Sequence, residues 1–280
     1  MVLAKALLAQ PDILLSGHLY NNFMKFFRRI LFLSLIFLIV ILVVNYFSPG
    51  ANLFHPPGGK NIPPAANPLP LAPSQSYSFA VISDIHSDYK NLQKTLDRIR
   101  SDKINFIVII GDLTTLGKLK ELQTIKTILD SNQIPYYIIP GNHDLWSNKN
   151  KTNYFQETFG VDYQSFQKGQ IKFILVNNGD GLVGLDQIQK TWLDQQLSDC
   201  PKLYCLVFMH EPLNNPTSKH VMGEDSLLVA SQAGTLVKQL VSAQVKELFA
   251  GHIHYLSTYT LDGLKTTTDG AIKDNPIWVE

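Results

Sequence analysis

A chain of 280 residues has room for one large domain plus accessory segments. Its formal net charge of +1 gives no sign of a nucleic-acid or acidic-surface partner. The two cysteines, Cys200 and Cys205, match no zinc-knuckle or redox spacing. They read as small apolar residues flanking a strand, with a short-loop disulfide, which needs an oxidising compartment, as the alternative.

Near the start, Lys25, Arg28 and Arg29 precede an apolar run from Ile30 to Val44, and Tyr46 and Phe47 follow it. The run is about long enough to span a hydrocarbon core. It has no polar face, which argues against a buried core helix. Basic residues before it and none close behind predict an N-in, C-out orientation. The expectation is a single transmembrane signal-anchor over residues 24–48, with the folded domain extracytoplasmic. Secretion after signal-peptide cleavage is the rival, although Ser48-Pro49-Gly50-Ala51 is a weak cleavage site. Met24 opens this basic-then-apolar pattern, so residues 1–23 read as a short segment upstream of a true start at Met24. Residues 49–75, rich in Pro, Ala, Gly and Asn, form a spacer too poor in apolar groups to pack. The folded domain is expected over 76–280.

Within it, apolar strands alternate with amphipathic helices. Phe79 to Ser83, Phe106 to Ile110 and Ile134 to Pro140 read as strands. Tyr89, Leu92, Leu96 and Ile99 recur at helical spacing between the first two, as do Leu119, Leu122, Ile125 and Leu129 between the second and third. This alternation predicts parallel strands joined by crossover helices. Leu145 to Gln170 is polar and reads as an irregular surface excursion. A strand resumes at Ile171 to Val176, helices are expected from Leu185 to Leu197 and from about Asp225 to Val241, and further strands at Leu206 to Met209 and Leu248 to Ala250. Asp262-Gly263 between Tyr255–Thr260 and Leu264–Thr268 is a strong hairpin signal. The fold class is α/β with a substantial antiparallel part, two packed sheets with helices outside.

Five of the apolar runs end in Asp, Asn or His: Asp84-Ile85-His86, Gly111-Asp112, Gly141-Asn142-His143-Asp144, His210, and Gly251-His252-Ile253-His254. Ligands of open α/β sheets bind at the carboxyl edge of the strands. Taken singly, most of these motifs are turns, caps or ordinary strand ends. Together they hold five of the chain's eight histidines. In a regular strand His252 and His254 would face opposite sides; both reach one site only if the chain turns, which Gly251 permits. Carboxylate, amide carbonyl and neutral imidazole form a mixed oxygen and nitrogen set. That set suits Zn, Mn, Fe or Ni rather than Ca, and lacks the thiolates of structural zinc. Two such ions about 3.5–4 Å apart can activate water and stabilise displacement at phosphorus.

The series Asp-x-His, Gly-Asp, Gly-Asn-His-Asp, His and Gly-His-x-His resembles the calcineurin-like metallophosphoesterases, from roughly Phe79 to Thr268. The resemblance implies a two-sheet β-sandwich flanked by helices, two divalent metal ions at the strand ends, and a phosphomonoester or phosphodiester substrate. It implies that Asp84, His86 and His254 hold one metal, that Asp112 bridges, and that Asn142, His210 and His252 hold the other. His143 would be a non-ligand that contacts the phosphoryl oxygen or protonates the leaving group, with Asp144 orienting its ring. One departure is informative. The purple acid phosphatase branch carries Gly and Tyr where this chain has His86 and Thr115, which argues against a tyrosinate–ferric site. The rival reading is a scaffold that keeps the fold without activity; a lost ligand would mark it, and here every position is filled.

Overall fold

The computed structural model describes residues 77–148 and 152–273. The expected segments 1–23, 24–48 and 49–75 lie outside the described residues. Among the described residues no helix is long and apolar enough to cross a membrane.

Strands β1 (Phe79–Ile82), β2 (Phe106–Ile110) and β3 (Tyr136–Ile139) form a three-stranded parallel sheet in that order. Helices α1 (Tyr89–Ser101) and α2 (Leu119–Asn132) are its crossovers. After β3 come the single turn α3 (Asn142–Leu145) and α4 (Tyr154–Phe159). The second sheet is built from β4 (Gln164–Lys168), β5 (Ile171–Leu175), β6 (Tyr204–Phe208), β7 (Glu247–Ala250), β8 (Ser257–Leu261) and β9 (Leu264–Thr268). Its order is β4-β5-β6-β7-β9-β8. Helices α5 (Gln187–Leu197) and α6 (Leu227–Ser242) connect β5 to β6 and β6 to β7.

The period-2 alternation of strand side chains sorts each strand between two cores. On β2, Ile107 and Ile109 join Leu92, Leu96, Ile99, Leu122 and Ile125 beneath α1 and α2. Its alternate residues Phe106, Val108 and Ile110 pack against Phe173, Phe208 and Phe249 of the other sheet. On β6, Val207 turns toward the α5–α6 side and Phe208 toward the first sheet. The result is four layers, helix, sheet, sheet, helix. All the parallel strands end at one edge.

The antiparallel part is smaller than expected. Among the described residues it is confined to the edge pairs β4–β5 and β8–β9, because β5, β6, β7 and β9 all run parallel. The β8–β9 hairpin turns at Asp262 (φ 47°) and Gly263 (φ 93°), the positive pair that a two-residue type I′ turn demands. The excursion from Leu145 to Gln170 is more ordered than its polarity suggested. It contains α4, capped by Asn153, and the edge strand β4, whose Phe166 stacks 3.5 Å from the Tyr137 ring and 4.6 Å from Phe173. A solvent-flanked edge strand needs only one apolar residue in five, so it leaves no period to read.

Cys200 and Cys205 are bonded to each other, which overturns the reading of two small apolar residues. The bridge ties the end of α5 to β6, fully buried. Replacing both cysteines with alanine is expected to cost about 2 kcal/mol, the loop-closure entropy of so short a ring. Thermal denaturation of the double variant, with thiol titration of the parent before and after reduction, checks this.

Candidate metal centre

Each motif residue follows directly on a strand and sits at the shared edge. Asp84 and His86 follow β1, Asp112 follows β2, Asn142 and His143 open α3 after β3, His210 follows β6, and His252 and His254 follow β7. Five of them, Asp84, His86, Asp112, His252 and His254, adopt left-handed backbone with φ between 47° and 68°. Such conformations cost non-glycine residues about 1–3 kcal/mol each and persist where surrounding contacts fix them. Here Asp84 N–H donates to Gly111 O (3.1 Å) and His86 N–H to Asp112 O (2.9 Å). The turn that brings His252 and His254 together is made by the histidines themselves. Gly251 serves another purpose: a Cβ there would lie 2.8 Å from Asp84 Oδ2 and Ser83 Oγ. At Gly141 a Cβ would overlap the Asp112 carboxylate.

Among the described residues, three groups could hold an ion: Asp84, His86 and His254; Asp112, His210 and His252; and His86, Asp112 and His143. The first two share a boundary at Asp112. Its Oδ2 is 3.5 Å from His86 Nε2, and its Oδ1 is 3.3 Å from His210 Nε2. Asn142 Oδ1 is 3.1 Å from the same His210 nitrogen. His210 Nδ1 faces the Ile110 carbonyl at 2.9 Å, so Nδ1 carries the proton and Nε2 points inward. His86 Nε2 and His254 Nε2 face each other at 3.2 Å. The fully buried Asp84 Oδ1 has no hydrogen-bond partner, with those nitrogens 3.8 and 3.3 Å away. Two imidazole nitrogens and a carboxylate oxygen thus converge on one point, a donor set of the kind that coordinates a divalent ion. The residues therefore fit divalent cations.

The electrostatics agree. Burial would raise the Asp84 carboxyl, but the adjacent His254 imidazole and the charge of His210 hold it below the usual range. Burial likewise opposes ionisation of Asp112, and His210, His143 and His86 outweigh it by a wide margin. Burial pushes His86 down to about 4 against the pull of Asp112 and Asp84. Burial and neighbouring His210 do the same to His252, also to about 4. His210 goes the other way: burial disfavours its charge, but the Asp112 carboxylate raises it to about 10. His86 and His252 are thus neutral near pH 7, while His210 holds a proton where a cation would bind. Loading with a divalent ion at pH 7 is expected to release about one proton. Calorimetry in buffers of different ionisation enthalpy measures this, and the release should vanish in His210→Gln.

The expectation that Asp144 orients the His143 ring is incorrect. Asp144 is fully buried and accepts from Leu113 N–H (3.1 Å), Thr114 N–H (2.9 Å), Thr114 Oγ1 (2.8 Å) and Gly141 N–H (3.0 Å). It pins the loop after β2 to the loop after β3, which sets Asp112 against Asn142. Burial and the nearby Asp112 charge push its carboxyl up to about 7, in spite of those donors. The His143 ring is held instead by the Thr115 carbonyl, 2.9 Å from Nδ1, with the Trp146 ring 3.7 Å away. Asp144→Ala would strand four donors. It is expected to cost about 3 kcal/mol and to lower the melting temperature by about 10 °C, read by calorimetry.

Several residues at the site escaped sequence reasoning. Asn178 is fully buried; its Oδ1 accepts from His210 N–H (2.9 Å) and Glu211 N–H (3.0 Å), and its Nδ2 donates to Glu211 O (2.7 Å). Ser83 Oγ donates to Asp84 Oδ2 at 2.5 Å. Asp269, just after β9, is buried with Oδ2 unpartnered; burial, with the Asp84 charge, pushes its carboxyl well up. Burial likewise raises Glu211 to about 7. None of these had a motif to mark it. A cavity of about 420 Å³, bordered by Asn142, Trp146 and His252, opens beside the cluster.

Four layers with carboxylates and imidazoles gathered at one strand edge define a metal-binding α/β sandwich protein. The chain belongs to the calcineurin-like phosphoesterase family, which it matches over residues 77–256. That family comprises phosphoester hydrolases that use divalent metals. The chain is 30% identical over 187 residues to the human serine/threonine-protein phosphatase CPPED1, a match covering 61% of this chain and 60% of that protein. It is 30% identical over 195 residues to a 3′,5′-cyclic-nucleotide phosphodiesterase of Nostoc sp., covering 63% of this chain and 71% of that one. Thus it spans about 60% of the length of the phosphatase relatives it matches. Solved structures share the fold. TT1561 of Thermus thermophilus aligns with TM-score 0.50 and 12% identity over 70% of this chain and 89% of that one. The yellow lupin purple acid phosphatase PPD1 aligns with TM-score 0.51 and 15% identity, over 69% and 43%.

Proposed function

We propose that this protein is a metal-dependent phosphoesterase, hydrolysing a phosphomonoester or phosphodiester at a dinuclear centre. The observation that carries this reading is the convergence of Asp84, His86, Asp112, Asn142, His210, His252 and His254 on one point at the sheet edge. Asp84, His86 and His254 would hold one ion and Asn142, His210 and His252 the other, with Asp112 between them. Divalent ions bound there would lower the pKa of water and offset charge on the phosphoryl oxygens.

The chain's own residues supply the rest. Asp144 fixes the two loops that carry Asp112 and Asn142. The Ile110 carbonyl keeps His210 in the tautomer that presents Nε2. His143 directs its Nε2 toward the cleft, 3.9 Å from Asp112 Oδ2, where it can hydrogen-bond a phosphoryl oxygen or give a proton to the departing alcohol. The relatives named above include a phosphatase and a phosphodiesterase, which supports the reading at the level of phosphoester hydrolysis.

The reading extends to location. The basic-then-apolar pattern of residues 24–48 supports a membrane anchor. The Cys200–Cys205 bridge supports an extracytoplasmic domain, since such bonds persist in oxidising compartments. The test is metal analysis of the full chain, followed by assay of bis(p-nitrophenyl) phosphate and p-nitrophenyl phosphate with added Mn. About two ions per chain and metal-dependent release of nitrophenol from either ester are expected. A metal-free, inactive protein would point to the scaffold reading instead.

A further inference from the structure

Among the described residues, the cavity beside the metal centre is lined by four acids, Asp180, Glu211, Glu224 and Asp225, and by no lysine or arginine. Two of these carboxylates are engaged: Asp180 Oδ1 accepts from Leu182 and Val183 N–H, and Glu224 pairs with His220 at 2.9 Å.

Glu211 differs. It is only 6% exposed, and Asn178 clamps its backbone in place. Yet its carboxyl group takes no hydrogen bond from any described residue and borders the cavity. A carboxyl group so enclosed, with no partner among the described residues, leaves its hydrogen-bonding capacity to whatever occupies the cavity, and an ammonium group there would both pair with it and favour its ionised form. Trp146, 56% exposed and also bordering the cavity, adds an aromatic ring of the kind that attracts ammonium groups. Asn142 and His252 join this cavity to the metal centre. A phosphoester with its phosphorus at the ions would therefore extend its alcohol into the acidic pocket.

We propose that this pocket binds a cationic amine carried on the alcohol side of the phosphoester, with Glu211 as the residue that determines this specificity. The substrates are then amino-alcohol phosphoesters, and polyanionic esters such as nucleoside triphosphates are repelled. This rests on the phosphoesterase reading for the placement of the phosphoryl group, but the pocket's preference can be tested without turnover.

The probes are 2-aminoethylphosphonate and propylphosphonate, which match in length and differ in charge. Titration calorimetry on the metal-loaded full chain should find the amine bound about tenfold tighter, the scale of one charge-assisted hydrogen bond. Glu211→Gln should bring the two affinities within about twofold of each other. In parallel, kcat/KM for aminoethyl phosphate should exceed that for propyl phosphate by a similar factor, or the same should hold for the methyl diesters of the two alcohols. Equal or reversed binding by the parent protein overturns the proposal, as does a folded, metal-loaded Glu211→Gln that keeps the preference. If that variant does not fold, Asp225→Asn should reduce the ratio by about threefold, and an unchanged ratio counts against the pocket. If no phosphoester is hydrolysed while the amine preference holds, the phosphoesterase reading fails and the pocket assignment stands.

Discussion

Asp112→Asn is expected to lower turnover by on the order of 10³-fold and to cut bound metal by at least about half. The residue is 1% exposed, and its two oxygens face His210 on one side and His86 on the other. Its Oδ1 also accepts the His143 backbone N–H at 2.9 Å. Asparagine preserves the volume and that one acceptor. It removes the negative charge shared by the two clusters and puts a donor in place of an acceptor. The fold should therefore survive while the cations lose their common partner. Metal analysis and kcat on the same sample test both halves. A variant that keeps its full metal content and full rate would show that Asp112 does not link the two clusters.

His143→Ala should behave differently, keeping metal while losing rate by about 10²–10⁴, the range of acid–base groups. Its Nδ1 is committed to the Thr115 carbonyl and its ring rests against Trp146, so Nε2 is left to act in the cleft. The loss should be largest for esters of poor leaving groups, which need a proton, and small for p-nitrophenolate, which does not. Full turnover by this variant on an alkyl ester would end the role assigned to His143.

The strand-end residues were legible in the sequence because each follows an apolar run, and a run of four or five such residues fixes both a strand and its exit. Seven candidate ligands and His143 were named this way, and the structure brings all eight to one neighbourhood. The role of Asp144 was not legible. Its partners Leu113, Thr114 and Gly141 lie on two loops, and only their packing shows where the carboxylate points. Glu211 escaped because an acid beside a histidine has no period and no spacing to mark it. The His252–Ile253–His254 turn was anticipated, but not that the histidines themselves would take the left-handed backbone, since that depends on contacts with Asp84 at the end of a strand of the other sheet. In the fold, β4 was missed because its single apolar residue leaves no period to read, and the Cys200–Cys205 bond was misread because a spacing of five does not by itself set the geometry of two thiols.

Anomalous diffraction from crystals of the protein grown with Mn addresses the metal assignment directly. Two peaks are expected at the sheet edge, one contacted by Asp84, His86 and His254, the other by Asn142, His210 and His252, with Asp112 between them. A single ion bound by some other set, or none at concentrations that support turnover, would contradict it.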